Sequence, residues 1–228
     1  NGSGRATTGL SSEWLLEQGI SKIERKTPHS VTVPGAVDAW VQMNRDHGSM
    51  DLGQLLAPAI AYAEEGYPVT QRVSTDFAAS VGALDDDARA VFTRDGGPIP
   101  LGARHSQPLL AATLRRIAKD GRSGFYEGPV ADDILGKLQQ IGGTHTQDDF
   151  DAAIGDYVTP ITGAFRDHNI WECPPNGQGV IALMLLNIMS GIDTFGDHPI
   201  SADRMHHEIE AGRLAYRDRG AVLADPAF

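Results

Sequence analysis

Apolar residues recur with helical spacing along most of this chain. Between Gly128 and Ile141 they stand four, four and three residues apart, which predicts a helix with one buried face. Similar spacing, often ended by a glycine, predicts helices in six other segments. These are Glu13–Gln18, Ala36–Asp46, Asp51–Glu65, Thr70–Phe92 (in two pieces, broken near Gly82), a helix capped by Ser106 and ended by Gly121, and about Ser201–Arg219.

Two stretches have the composition of β-strands. Ser30–Val33 precedes a Pro-Gly turn, and Ile161–Cys173 has strand character on both sides of a polar turn at Asp167–Asn169. The stretch Arg94–His105 is rich in glycine and proline and predicts an exposed loop. Because the helices are separate from these few strands, the pattern favours an α+β fold over a parallel βαβ sheet. We expect a single domain over 1–228, with a helical part at about 36–157 and a hairpin with C-terminal helices at about 158–228.

The segment Pro174–Gly191 joins a polar, glycine-rich corner to a nearly continuous apolar run. Gly177 and Gly179 suit backbone angles that other residues resist, so the corner predicts a tight turn. A helix that is apolar on all sides must be buried, and this one is too short to cross a bilayer. We therefore predict a buried central helix that ends at Gly191.

The chain is acidic, with 19 Lys and Arg against 30 Asp and Glu and a formal net charge of −11. This charge argues against nucleic acid and anionic membrane surfaces as partners, because both require a basic patch. No apolar run reaches the length of a membrane span, so no membrane segment is predicted.

Cys173 is the single cysteine, so an internal disulfide is excluded and the redox compartment stays open. We expect a small core residue at a strand end, because no adjacent residue supplies the base that a thiol nucleophile needs. The chain begins without Met and stops abruptly at Phe228, so neither end resembles a natural terminus. An export signal could therefore lie outside this sequence.

Two acidic or histidine-rich clusters are candidate sites. His206 and Glu210 are four residues apart on a predicted helix, yet a hydrolytic zinc site needs a third ligand, so a packed helical face is the preferred interpretation. Asp148, Asp149 and Asp151 could form an acid/base pair. The Thr146-x-x-Asp149 spacing favours a capped helix start instead.

Two other groups could contact a ligand or attack a substrate. Asn176 and Gln178 could bind a ligand, and the free N–H groups at that helix start could hold an anion, but a structural turn is preferred. Thr7 and Thr8 suggest a threonine nucleophile. A threonine activated by its own α-amino group must begin a chain, and these two do not.

A series of short motifs covers nearly the whole chain. They are Asn1–Ala6, Ser30–Gly35, Leu56–Ile60, Ala63–Val69, Gly124–Gly128, Gly142–Thr146 before Asp148-Asp149, Pro174–Gly191, His206 with Glu210-Ala211, Ala215-Tyr216, Asp218-Arg219, and Asp225–Phe228. Each is weak alone. In this order they resemble the large, N-terminal subunit of the γ-glutamyltranspeptidase family.

The resemblance implies an N-terminal-nucleophile hydrolase whose precursor cleaves itself into two subunits that share an αββα sandwich. A threonine at the start of the small subunit would attack the γ-glutamyl amide of substrates such as glutathione, and some relatives act on acylated cephalosporins. No metal or organic cofactor is implied. The partners implied are the small subunit and a small-molecule γ-glutamyl substrate.

The resemblance also places the functional residues outside 1–228. The nucleophile would follow Phe228, and the arginine that holds the substrate α-carboxylate would precede Asn1, since Arg5 belongs to a later Gly-Arg motif. We therefore expect no catalytic, cofactor-binding or metal-binding residue in this chain, and no activity from it alone. The alternatives are a related amide acylase subunit and a non-catalytic helical binding module. The form of the Pro174–Gly179 corner resembles bacterial enzymes that often lack export signals, which favours the cytoplasm over the periplasm without fixing the location.

Overall fold

The structure is a computed structural model that describes residues 4–192, 198 and 200–224. The chain forms two compact units, Asn1–Gly155 (unit 1) and Asp156–Phe228 (unit 2). The predicted single domain, with its division at about residue 157, stays a prediction. The motif Asp225–Phe228 and the start of Asn1–Ala6 lie outside the described residues. Within the described residues, no helix has the length and apolarity that a membrane span requires.

Unit 1 is built mainly from helices. They are α1 (Ser12–Glu17), α2 (Ala36–His47), α3 (Leu52–Glu65), α4 (Gln71–Ser80), α5 (Asp86–Phe92), α6 (Pro108–Asp120), α7 (Ser123–Tyr126), α8 (Gly128–Gln140) and α9 (Gln147–Asp151). Their apolar faces meet in a core that includes the fully buried Ile117, Tyr126 and Phe150. The helix-rich, α+β character expected from the sequence is therefore found in this unit.

Several helix ends follow the predicted chemistry. Asp85 accepts a hydrogen bond from the backbone N–H of Ala88 and caps α5, while a short 3-10 turn at Val81–Ala83 separates α4 from α5. Pro58 lies inside a continuous α3, so the proline neither starts a second helix nor ends the first. The predicted cap at Ser106 is wrong. α6 follows Gln107, which makes no side-chain cap, and Pro108 takes the first helical turn, where its missing N–H costs nothing.

The predicted strand Ser30–Val33 is also wrong. Pro28–Ser30 is a 3-10 turn, and the next residues run extended without a neighbouring strand. This segment does make a ladder-like contact, a 2.8 Å hydrogen bond from Val33 N–H to the Arg5 carbonyl. β-branched residues fit extended backbone, but a strand also needs a partner along its length.

The segment 94–105 is more ordered than an exposed loop. It contributes to two short antiparallel ladders, β1 (Tyr67–Pro68) with β4 (Arg104–His105) and β2 (Thr93–Arg94) with β3 (Gly97–Pro98). Ile99 and His105 are buried here. The glycine and proline residues of this segment therefore indicate tight turns between short paired strands, and not an exposed loop.

His105 is enclosed by aromatic rings. The ring centroids of Tyr67, Phe77 and Phe92 lie 5.8, 5.7 and 6.1 Å from that of the imidazole. Its Nε2 has no hydrogen-bond partner among the described residues. Burial, helped by the nearby positive charge of Arg94, lowers the pKa of His105, so the neutral imidazole is the form that fits.

We expect acid to destabilise unit 1 through His105. Because the pKa of His105 is lowered in the folded state, its contribution to the free energy of unfolding is complete above the unfolded pKa of about 6.5. This contribution is lost as the pH falls from the unfolded pKa toward the folded pKa. Urea unfolding at about pH 8 and pH 5 should show a lower midpoint in acid, and His105→Phe should reduce that difference. The exposed His168→Phe should leave it unchanged, and an unaltered pH dependence in His105→Phe would contradict this assignment.

Unit 2 contains one hairpin and two helices. They are β5 (Ile161–Phe165), β6 (His168–Glu172), α10 (Gly179–Ser190) and α11 (Ala202–Val222). The predicted hairpin is present, but the turn is Arg166-Asp167, with Phe165 paired to His168. Arg166 in this tight two-residue turn has a φ of 52°, in the left-handed region. A residue with a Cβ adopts this conformation only at a cost in conformational energy.

Unit 2 leaves more apolar surface open than predicted. In α10 only Ile181 and Met189 are buried among the described residues, although the helix is nearly all apolar. The larger apolar residues of α11 are exposed, and the helix buries Ala211 and Ala215 instead. Cys173 directly follows β6 as expected but is exposed, so its predicted place in the core is wrong for this unit.

Candidate functional site

The N-terminal segment of unit 1 is held against two distant loops. We call this arrangement the N-terminal clasp; it consists of Gly4, Arg5, Thr7, Thr8, Val31, Val33, Thr144, His145, Thr146 and Asp149. Gly4 approaches Val33 so closely that a Cβ at this position would lie 1.5 Å from the Val33 carbonyl oxygen. Glycine is therefore required where the segment enters the clasp.

Asp149 is the centre of the clasp. Its Oδ1 accepts hydrogen bonds from the N–H and hydroxyl of Thr8, at 2.8 and 2.9 Å. Its Oδ2 accepts from the N–H and hydroxyl of Thr146, at 2.9 and 2.8 Å. Burial by itself raises the pKa of Asp149, but the four donors outweigh it and the pKa is lowered. The carboxylate is thus ionised and fully bonded at neutral pH.

Two further contacts flank Asp149. The hydroxyl of buried Thr7 lies 2.5 Å from that of Thr144. Buried His145 has its Nε2 2.9 Å from the Val31 carbonyl. Because a carbonyl only accepts, Nε2 donates this hydrogen bond, and Nδ1 has no hydrogen-bond partner among the described residues.

The clasp fixes backbone and is poorly suited to nucleophilic catalysis. The Thr8 hydroxyl donates to Asp149, but a carboxylate with a lowered pKa is a weak general base. Thr7 is buried against a second hydroxyl, which cannot activate it. Of the candidate acid/base aspartates, Asp149 completes the predicted capping box with Thr146, and Asp151 accepts from Gln147 Nε2 at 2.7 Å.

An ion pair lies at the C-terminal end of α9. Asp38 of α2 is 2% exposed, and its Oδ1 accepts from Arg122 Nε at 3.1 Å. Its Oδ2 accepts from Gln42 Nε2 and from the Gly155 backbone N–H, both at 2.7 Å. Gln42 also donates to the Gly155 carbonyl at 2.9 Å, so two side chains of α2 hold the last residue of unit 1.

Arg122 and Tyr126 complete this Asp38 network. The guanidinium donates to the carbonyls of Phe150, Asp151 and Ala153 and lies 4.5 Å from the centre of the Tyr126 ring. Tyr126 donates its hydroxyl to the Pro34 carbonyl at 2.6 Å, and burial raises its pKa. α9 therefore joins two structures, with the clasp bound through Asp149 and the Asp38 network bound at its C-terminal end.

The predicted ligand corner is occupied by the protein itself. A Cβ at Gly179 would lie 2.8 Å from Glu172 Oε2 and 2.9 Å from the Cys173 carbonyl oxygen. The carboxylate of Glu172 thus lies beside Gly179 in the first turn of α10, the end of the helix that could hold an external anion. Gln178 lies 3.5 Å from the Tyr216 hydroxyl, and Asn176 is exposed. The arrangement favours the structural turn.

The His206–Glu210 pair does not assemble a metal site. Glu210 is bound to Arg213 at 2.8 Å, and the ring of exposed His206 lies 5.8 Å from that of His207. No group of three His, Cys, Asp or Glu side chains in the described part of the chain could hold a metal ion.

Comparison with known proteins gives one consistent result. The profile of the γ-glutamyltranspeptidase family matches residues 1–228. The glutathione hydrolase-like YwrD proenzyme of Bacillus subtilis is 37% identical over 232 residues, a match that covers 100% of this chain and 44% of that protein. The chain therefore spans less than half the length of this curated relative.

Two solved structures are similar in fold. The cephalosporin acylase of Bacillus halodurans has a TM-score of 0.90 and 35% identity, covering 100% of this chain and 44% of that one. The γ-glutamyltranspeptidase of Helicobacter pylori has a TM-score of 0.87 and 27% identity, covering 99% of this chain and 66% of that one.

Proposed function

The chain belongs to the γ-glutamyltranspeptidase family as its large-subunit part, and from that premise we propose that the whole protein cleaves γ-glutamyl amides such as glutathione. The observation that carries the proposal is the family match over residues 1–228. In the proposed reaction, a threonine that begins the small subunit attacks the γ-glutamyl carbonyl. The acyl-enzyme then passes its acyl group to water or to an amino acid or peptide.

The proposal assigns no catalytic residue to this chain. The two threonines nearest its start are engaged in the clasp, and Asp149 is bonded to four donors. The large subunit would then act as a scaffold, and the clasp would fix the path of the segment from Gly4 to Thr8.

The small subunit is the proposed partner of unit 2. Among the described residues β5 and β6 pair only with each other, so both outer edges of the hairpin are open. Thr162 stands opposite Trp171, which is 62% exposed. Open strand edges and an exposed tryptophan are features that a further part of a sandwich would cover.

We expect the isolated chain to release no nitroaniline from γ-glutamyl-p-nitroanilide, whereas the complete precursor does so after processing. In the precursor Trp171 should also become less accessible to acrylamide, a quencher of tryptophan fluorescence. A precursor that lacks the threonine opening its small subunit is the matched inactive control. Turnover by the isolated chain would overturn the location of the nucleophile, and a processed precursor without turnover would overturn the substrate class.

A cephalosporin-type amide acylase is the second candidate. It is favoured by the similarity to the Bacillus halodurans cephalosporin acylase, at 35% identity and a TM-score of 0.90. The processed precursor should be assayed with glutathione and with an acylated cephalosporin under the same conditions. The substrate with the higher kcat/KM decides between the two activities.

A further inference from the structure

Asn176 lies in the turn between β6 and α10, and the residue that follows it is Gly177. Its side chain is exposed and makes no hydrogen bond to the described residues. The other described asparagines are Asn44 in α2, Asn169 in β6 and Asn187 in α10, and each precedes a larger residue. Within the described part of the chain, Asn176 alone combines an exposed amide, backbone outside helices and strands, and a following glycine.

This combination exposes the Asn176 amide to a reaction within the chain. The side-chain amide of an asparagine can react with the backbone nitrogen of the next residue, because the covalent chain keeps the two groups close. A Cβ on the next residue would crowd this approach, and glycine has none. Helices and strands oppose the reaction, since their backbone N–H groups are held in hydrogen-bonded ladders. Gly177 lies outside both β6 and α10, so neither ladder holds it.

We propose that Asn176 is a site of spontaneous deamidation. The Gly177 nitrogen bonds to Asn176 Cγ, the Cγ–Nδ2 bond breaks, and the amide leaves as ammonia with the proton of the Gly177 N–H. Water then opens the cyclic imide at either of its two carbonyl groups. The products are aspartate or isoaspartate at position 176, and nothing is oxidised or reduced. This inference goes beyond the proposed function and does not depend on it.

The reaction adds a negative charge close to the start of α10. Position 176 lies three residues before Gly179, the first residue of this helix. The Glu172 carboxylate already lies beside Gly179, at the end of the helix that carries the positive partial charge. The aspartate product keeps the original backbone, whereas the isoaspartate product adds one carbon atom to the main chain. Both products should therefore separate from the parent on an anion-exchange column.

Mass spectrometry of the complete precursor tests the site. After incubation at mildly alkaline pH and digestion in mild acid, fragment ions should place the replacement of NH₂ by OH at Asn176. The internal controls are Asn169 and Asn187, which are also exposed and should react at least about tenfold more slowly. Incubation in mild acid should slow the reaction at Asn176, because the attacking nitrogen must lose its proton. Equal rates at the three asparagines, or no reaction at Asn176, would overturn the proposal.

Two variants and a control test the mechanism. Gly177→Ala should slow the reaction at Asn176 at least about tenfold, because the added Cβ crowds the attack. Asn176→Gln keeps an amide but requires a larger ring, so position 176 should stay unmodified. Gly82→Ala, where an added Cβ meets nothing within 4 Å, should leave the rate unchanged. Circular dichroism should show the parent helicity in each variant, and a parental rate in Gly177→Ala would overturn the proposal.

Discussion

Replacing Asp38 by Ala is expected to lower the free energy of unfolding of unit 1 by about 3–5 kcal/mol, because it breaks a buried ion pair by removing one partner. Three donors lose a hydrogen bond at once: Arg122 Nε, the Gly155 N–H, and Gln42 Nε2, which keeps only the Gly155 carbonyl. The guanidinium retains its three carbonyl acceptors but loses its counter-charge. The site is closed to water at Asp38, so solvent cannot replace the carboxylate without rearrangement.

Urea unfolding followed by tryptophan fluorescence measures this effect. Trp171→Phe removes the signal of unit 2, so that Trp14 and Trp40 report on unit 1. Asp76→Ala is the matched control. It removes the carboxylate of an exposed i,i+4 pair with Arg72, and its midpoint should stay within experimental error of the parent. A midpoint for Asp38→Ala that equals that of the control would contradict the role of the network.

Coupling between Asp38 and Arg122 can be measured separately. Arg122→Ala leaves the buried carboxylate without its cation, so this single change should also be costly. Each single variant leaves the charge of the other partner unpaired. The double variant should therefore lower the free energy of unfolding by less than the sum of the two single variants. Additive effects would show that the two residues stabilise unit 1 independently.

The helices could be predicted because their signal is local. Each α-helix carries its apolar spacing and most of its caps within a few residues, as the box formed by Thr146 and Asp149 illustrates. The Asp38 network left no comparable signal. Asp38 lies in the first turn of α2, where an acidic residue is usual whether or not it is buried. Its partner Arg122 is 84 residues away in sequence.

Strand pairing and burial depend on other segments of the protein, which the apolar pattern along the chain does not identify. Ser30–Val33 has the residues of a strand, yet it pairs with no neighbouring strand in the part of the chain that the structure describes. Its links to distant residues include the hydrogen bond from Val33 N–H to the Arg5 carbonyl and that between the Val31 carbonyl and His145 Nε2. For α10 the apolar pattern correctly predicted a helix, but how much of it is buried depends on what packs around it. In unit 2, two small residues of α11 allow close approach while its larger apolar residues stay in solvent.

Half of the hydrogen bonds to Asp149 in the candidate site could be predicted from the sequence. The Thr146-x-x-Asp149 motif predicted a capped helix start, which accounts for two of the four hydrogen bonds to the carboxylate. The other two come from Thr8, which is 141 residues away. Spacing rules describe neighbours on one element, so the function of Asp149 as a cross-link between distant segments required the fold.

Asp149→Asn is expected to cost about 3 kcal/mol at neutral pH, since hydrogen bonds to a charged group contribute more than neutral ones. An amide has one acceptor oxygen, whereas the carboxylate receives two rigid backbone donors on opposite oxygens, from Thr8 and Thr146. Hydroxyl groups can rotate to suit the amide, but one backbone N–H must face the new NH₂ group. The substitution therefore leaves a donor without an acceptor in a buried place.

The pH dependence gives this prediction a specific signature. Because the folded pKa of Asp149 is lowered, its stabilisation is complete above the unfolded value of about 4 and is lost as the pH falls through the folded value. The difference in unfolding free energy between parent and Asp149→Asn should therefore shrink in acid. Asp148→Asn, at an exposed neighbour, should match the parent at every pH. Limited proteolysis should in addition cut residues 4–9 faster in Asp149→Asn at neutral pH, and equal cleavage rates would show that the clasp does not hold this segment.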